Sequence, residues 1–166
     1  MRIRHSYLLA VSAMFASAGN SAVHIAIPWL VLEITGSSAN AGVVLGISGF
    51  SVIFTAPIIG GLIAVLGARP VSIWADIISA GSVVLFPIVG TLFGLNLASL
   101  LVIAILGAIF DPAGATARKS LIQPVAERDG LSLLKFNGTY EAAATIGTVI
   151  GPTGAAIAIG LIGINA

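Results

Sequence analysis

Charge is what this sequence has least of. Its 166 residues include six acidic and seven basic residues, so charged residues make up 8% of the chain, whereas hydrophobic residues make up 58%. The mean hydropathy is +1.13. A soluble globular domain carries about 25% charged residues. Six acids and seven bases cannot cover a globule of this size, so most of its surface is expected to face lipid.

Other absences exclude whole classes of function. The chain has no cysteine, which excludes disulfides and thiolate metal sites. A net charge of +1 provides no basic surface for nucleic acid, so we expect no nucleic-acid partner. The sequence contains no phosphate-binding Gly-x-x-x-x-Gly-Lys loop, no His-Glu-x-x-His and no Gly-x-Ser-x-Gly motif. We therefore predict that the chain is not an enzyme and that it uses no metal or cofactor.

Long apolar runs fill most of the chain. A membrane-spanning helix needs about 20 mostly apolar residues. Five segments meet this requirement: 7–32, 41–66, 71–93, 97–117 and 134–162. The breaks between them are rich in the turn residues Gly, Pro, Asn and Ser. The sequence therefore predicts an all-α fold, a polytopic membrane helix bundle of about five transmembrane helices.

The basic residues all fall on one side of this arrangement. They precede the first span, follow the second, or lie between or beside the fourth and fifth: Arg2, Arg4, Arg69, Arg118, Lys119, Arg128 and Lys135. Because Lys and Arg collect on the cytoplasmic side of membrane proteins, we predict a multi-pass protein of the cell (plasma or inner) membrane. Its N-terminus is then cytoplasmic, and the fifth span ends outside.

The fifth span carries glycines at regular spacing. Gly147 and Gly151 lie four residues apart, with Gly154 on the same helix face, so a neighbouring backbone can approach closely. Pro152 removes one backbone hydrogen bond and is expected to bend the helix. Ordinary small-residue packing between helices is the alternative explanation. Together with Gly138, these residues are spaced G-x8-G-x3-G-P. This spacing resembles the antiporter motif of the major facilitator superfamily, with Ala155 and Ala156 in place of the family's last two glycines.

Other stretches support the same resemblance. Gly60, Leu62, Gly67 and Arg69 match a loop motif of that family, although alanine or valine occupies its acidic position and two of its basic positions. Residues 28–46 and 110–125 are similar to the macrolide-efflux and enterobactin-exporter branch of the family. The resemblance covers the first five of the family's twelve helices. It implies a partial major facilitator fold over 1–166, an N-terminal bundle without helix six and the C-terminal half.

Three acidic residues lie inside the predicted spans: Asp76, Asp111 and Glu141. A charge in hydrocarbon is costly, so each one is a functional candidate. One interpretation is a structural layer of ion pairs with bases such as Arg118; the other is proton coupling through a carboxylate. In the resembled fold, spans four and five border the central cavity and span three does not. The resemblance therefore implies ion-coupling roles for Asp111 and Glu141 and a structural role for Asp76.

Asn20 and His24 lie one turn apart on the first span, near the bilayer midplane. Secondary transporters bind substrates at this depth. Since helix one lines the cavity in the resembled family, both residues are candidates for contact with substrate. The alternative is that His24 is packed, neutral and hydrogen-bonded to a neighbouring helix.

The resemblance implies a secondary transporter that exports a small molecule, drug-like or siderophore-like, by ion-coupled alternating access. Its expected partners are the lipid bilayer and the small-molecule substrate. The alternative is a truncated or split membrane module that does not transport by itself and requires a missing C-terminal half or a second chain.

Overall fold

The computed structural model describes residues 4–94 and 96–162, without the side chains of residues 51, 52, 54, 87, 93, 158, 159, 161 and 162. All regular secondary structure in these ranges is helical, which confirms the predicted all-α class. In chain order the helices are α1 His5–Thr35, α2 Ser38–Leu66, α3 Ala68–Phe93, α4 Leu97–Ser120, α5 Ile122–Asp129 and α6 Leu133–Ile162.

Glycine follows the ends of α1, α2, α3 and α5. Gly36, Gly67, Gly94 and Gly130 have positive φ angles of 64°, 87°, 72° and 65°, and each directly follows the last residue of a helix. Side chains with a Cβ rarely adopt this conformation, so glycine is the residue that ends a helix there. The start of α2 has a cap of its own, because the Ser37 hydroxyl accepts a hydrogen bond from the Asn40 amide.

Several helices are long and apolar enough to cross a membrane. In the described part of the chain these are His5–Thr35, Ala68–Leu92 and Leu97–Asp129, and a fourth if the bent pair Ser38–Phe50 and Thr55–Leu66 is one span. They correspond to the first four predicted spans. The predicted fifth span is helical as α6, and its crossing of the membrane stays a prediction. The orientation also stays a prediction, and Arg2, one of the bases behind it, lies outside the described residues.

The bend in α2 is 41° and falls between Phe50 and Thr55. Pro57 lies just after it, inside the helix. Proline has no amide to donate to the carbonyl four residues earlier, which here belongs to Ile53, and its ring clashes with that carbonyl. Pro57 therefore accounts for the position of the bend.

One helix, α5, was not expected from the sequence. The segment 118–132 reads as a polar break between spans, yet residues Ile122–Asp129 form two turns of helix. Ile122 and Ala126, one turn apart, are buried, whereas the residues between them are more exposed. This short helix is amphipathic and packs against its neighbours through one face.

The chain divides into two compact units. Unit 1 comprises the chain up to Ile25 together with Arg118 onward, so it holds the first part of α1 with α5 and α6. Its apolar core contains residues from all three helices: Leu9, Ala13, Ile122, Ala126, Phe136 and Tyr140. The packing of α5 thus joins the start of α1 to the start of α6.

Unit 2 comprises residues Ala26–Ala117 and has two apolar clusters. One consists of Val31, Val44, Leu100 and Ala104, and the other of Ile59, Ala75 and Ala113. In both units large apolar side chains are also exposed along the helices, among them Phe15, Val65, Leu92 and Val149. An apolar exterior of this extent is what a helix bundle presents to lipid.

Candidate functional site

In unit 2 the carboxylate of Asp111 lies against α3. The Ser79 hydroxyl donates a hydrogen bond to Asp111 Oδ1, and Asp111 is half-buried. Ser79 lies one turn after Asp76 on α3. The hydrogen bond therefore joins α3 to α4 close to both Asp76 and Asp111.

In unit 1 the end of α4 meets α6 through charged and polar side chains. Lys119 Nζ lies 2.9 Å from Glu141 Oε1, and the two side chains are 56% and 46% exposed. Arg118 is buried, and its positive charge lies near the buried Tyr140. These contacts are those expected of a structural charge layer. The half-exposed ion pair adds little to stability, whereas Arg118 is buried.

Each unit contains its own set of these contacts, and a structural layer that includes both sets stays a prediction. Asp76 and Asp111 belong to unit 2, and Glu141 and Arg118 belong to unit 1. The sequence identifies these acids because each interrupts an apolar run. It does not identify Ser79, although a serine one turn from Asp76 in an apolar span is a signal that could have found it.

The glycines of α6 make a close contact with α1. A Cβ atom added to Gly147 would lie 2.1 Å from the Met14 carbonyl oxygen, and one added to Gly151 would lie 2.0 Å from that of Ala18. Neither position has room for a side chain. At Gly154 and Gly138 an added Cβ meets nothing within 4 Å. The expectation that Gly154 shares the close contact is therefore wrong. Pro152 lies inside α6, which continues as one helix through it.

The loop motif after α2 has a structural role at Gly67. This residue ends α2 with φ 87°, and its amide donates to the Ile63 carbonyl at 2.9 Å. Gly60 and Arg69 are exposed, and the Arg69 carbonyl accepts from the Ser72 hydroxyl.

The two candidates for substrate contact differ in exposure. Asn20 is half-buried and His24 is exposed on α1.

A contact that the sequence analysis did not identify joins the start of α1 to the end of α5. The Ser6 amide donates to Asp129 Oδ2 at 2.8 Å, and His5 Nδ1 lies 3.5 Å from Asp129 Oδ1. The amide hydrogen bond from Ser6 lowers the pKa of Asp129 below its ordinary value, with smaller contributions from the Ser6 side chain and His5. Asp129 lies outside the predicted spans. No group of three or more possible metal ligands occurs among the residues that the structure describes.

The chain is similar to curated efflux proteins. It is 39% identical over 148 residues to the multidrug efflux pump Tap of Mycolicibacterium fortuitum, an alignment that covers 87% of this chain and 36% of that pump. It is 34% identical over 161 residues to the pumps of the same name from Mycobacterium bovis BCG and Mycobacterium tuberculosis H37Rv, covering 95% of this chain and 38% of each pump. No protein-family model and no solved structure matches the chain.

The chain thus spans less than two fifths of the length of the curated relatives that it matches. These relatives are named as transporters and not as enzymes, which agrees with the prediction made from the absent motifs.

Proposed function

We propose that this chain is the N-terminal part of a multi-pass efflux transporter of the cell membrane. The observation that carries the proposal is the identity of 34–39% to multidrug efflux pumps along nearly the whole chain. The apolar helices and the exposed apolar surface support it, because they require a membrane as surroundings.

We assign the transporter to the major facilitator superfamily, in the macrolide-efflux and enterobactin-exporter-like branch. The contact of Gly147 and Gly151 with α1 supports this assignment, since the antiporter-like motif then lies in a tight helix contact. The N-terminus is cytoplasmic, and the cargo is a small drug-like or siderophore-like molecule. Transport proceeds by alternating access, in which helix bundles rock around a central site. Asn20 and His24 contribute to that site.

An ion gradient drives the export, and Asp111 is the first candidate for coupling. Glu141 is the second candidate, because its ion pair with Lys119, at 2.9 Å, would be lost if Glu141 took up a proton. The Ser79 hydroxyl that contacts Asp111 can donate to a carboxylate or accept from a carboxylic acid, so this contact can persist through a change of protonation.

The test is a chimaera in which residues of this chain replace the matched segment of the M. fortuitum pump. The measurement is accumulation of a fluorescent drug in cells that lack their own efflux pumps. We expect the chimaera to lower accumulation, and collapse of the proton gradient to abolish this effect. A chimaera that reaches the membrane at the level of the parent pump and leaves accumulation unchanged would contradict the proposal.

A further inference from the structure

A cleft opens in unit 1 between the starts of α1 and α6. Its volume is about 430 Å³, within the range of about 300–1,000 Å³ found for small-molecule sites. Arg4, which precedes α1, and Lys135, in the first turn of α6, both line it. The remaining lining is largely apolar.

The charge of this cleft is of one sign. Arg4 and Lys135 are both exposed, and no acidic residue is among those that line the cleft. Neither base takes part in an ion pair within the described part of the chain. The nearby Asp129 is occupied by the Ser6 amide and His5 and does not line the cleft. Two uncompensated bases in one cleft favour an anionic ligand.

The apolar lining runs away from these bases along both helices. On α1 it consists of Tyr7, Val11 and Met14, which share one helix face, and on α6 it includes Phe136 and Ala143. The ten helical steps from Arg4 to Met14 cover about 15 Å at a rise of 1.5 Å per residue. This length is about half of the 30 Å hydrocarbon core, or one leaflet of the bilayer.

We propose that this cleft binds an anionic phospholipid of the surrounding membrane. The phosphate lies between Arg4 and Lys135, where the exposed hydroxyl of Ser132 can donate a further hydrogen bond. One acyl chain follows Tyr7, Val11 and Met14 into the leaflet. Basic pockets between membrane helices recognise anionic headgroups in this way. The site requires that unit 1 lies in a membrane, and it does not depend on efflux.

The test is lipid binding to the purified 166-residue chain in detergent, measured by native mass spectrometry. Phosphatidylglycerol is compared with phosphatidylcholine of identical acyl chains, and we expect the anionic lipid to bind more tightly. One base near an anionic headgroup contributes about a fivefold change in affinity. Arg4→Gln and Lys135→Gln should therefore each weaken the binding of phosphatidylglycerol by about fivefold. Arg128→Gln is the matched control, because it removes an exposed base outside the cleft and should leave binding unchanged.

Two further arms separate a lipid from a free anion. Ala143→Phe fills the apolar part of the cleft and should weaken the binding of phosphatidylglycerol. Ala142→Phe, at the exposed neighbouring position, should leave this binding unchanged. Glycerol phosphate, the headgroup without acyl chains, should fail to displace the lipid. Equal binding of the two lipids, equal loss in Arg128→Gln and Lys135→Gln, or displacement by equimolar glycerol phosphate would each overturn the proposal.

Discussion

The two candidate coupling residues have different neighbours at the scale of single side chains. Asp111 accepts a hydrogen bond from the Ser79 hydroxyl, and Glu141 pairs with Lys119. A hydroxyl can donate to a carboxylate or accept from a carboxylic acid, so the Ser79 contact can survive a change of protonation at Asp111. The ion pair between Glu141 and Lys119 cannot survive such a change, because a protonated glutamate is neutral.

In a transporter completed by the segment of a relative, Asp111→Asn should abolish gradient-driven efflux and Glu141→Gln should reduce it little. Both changes keep the size of the side chain and remove its titration. Substrate exchange across the membrane without a gradient should persist in both variants, which shows that binding and folding are intact. Normal driven efflux in Asp111→Asn would remove this residue from ion coupling, and its loss in Glu141→Gln alone would reverse the two roles.

The Asp129 contact makes the stability of unit 1 depend on pH. Because the folded-state pKa of Asp129 is lowered, its contribution is fully present above the ordinary value of about 3.9 and is lost as the pH falls through the folded value. Asp129→Asn should therefore lower the thermal unfolding midpoint in detergent at pH 7 and have little effect at strongly acidic pH.

Glu127→Gln is the matched control for this variant, since Glu127 is an exposed carboxylate on α5. It should leave the midpoint close to that of the parent at both pH values. A deficit in Asp129→Asn that is equally large in acid would show that the contact does not depend on the charge.

At this scale the sequence predicts which residues are unusual but not what they contact. Asp76, Asp111 and Glu141 are visible because a charge inside an apolar run is costly. Their partners depend on the rotation of each helix about its axis and on which helices are neighbours. A single sequence gives neither quantity. The contacts of Ser79 with Asp111, of Lys119 with Glu141 and of Ser6 with Asp129 therefore become visible only in the tertiary fold.

At the scale of elements, the contact between α1 and α6 separates glycines that look equivalent in sequence. Gly147→Ala or Gly151→Ala would place a Cβ against the backbone of α1 at 2.1 or 2.0 Å, so one of the helices must move. Overpacking of a tight interior typically costs about 1–3 kcal/mol. We expect a loss of stability of at least this size for each, measured by thermal unfolding of the purified chain in detergent.

Gly154→Ala is the control for these variants, because the same methyl group meets nothing within 4 Å. It should be neutral or stabilise the chain by up to about 1 kcal/mol, the difference in helix propensity between glycine and alanine. If Gly151→Ala were as stable as Gly154→Ala, the close contact between the helices would be wrong.

Helix positions are predictable here because hydropathy and turn residues agree. The predicted ranges 41–66, 71–93, 97–117 and 134–162 fall within α2, α3, α4 and α6, and glycines end several of these helices. Hydropathy does not predict helix α5, because its apolar face is only two turns long and lies in a charged segment. Its signal was the helical spacing of Ile122 and Ala126, with Gly130 as the stop.

At the scale of the whole molecule, the chain has more apolar residues than its buried cores contain. The buried clusters of the two units are small, and large apolar side chains remain exposed on α1, α2, α3, α4 and α6. In water such a surface would drive association. In a bilayer it is the required exterior, which is why composition alone predicts the surroundings of the chain before any motif is considered.

The proposed efflux function requires that the chain crosses the membrane with its bases on the inner side. Labelling of single-cysteine variants in intact cells tests this directly, and the parent is unreactive because it has no cysteine. Ala39→Cys, at the exposed start of α2, should react with a membrane-impermeant thiol reagent, whereas Gln123→Cys, exposed on α5, should react only after the membrane is opened. Reaction of Gln123→Cys in intact cells, with Ala39→Cys protected, would contradict the arrangement.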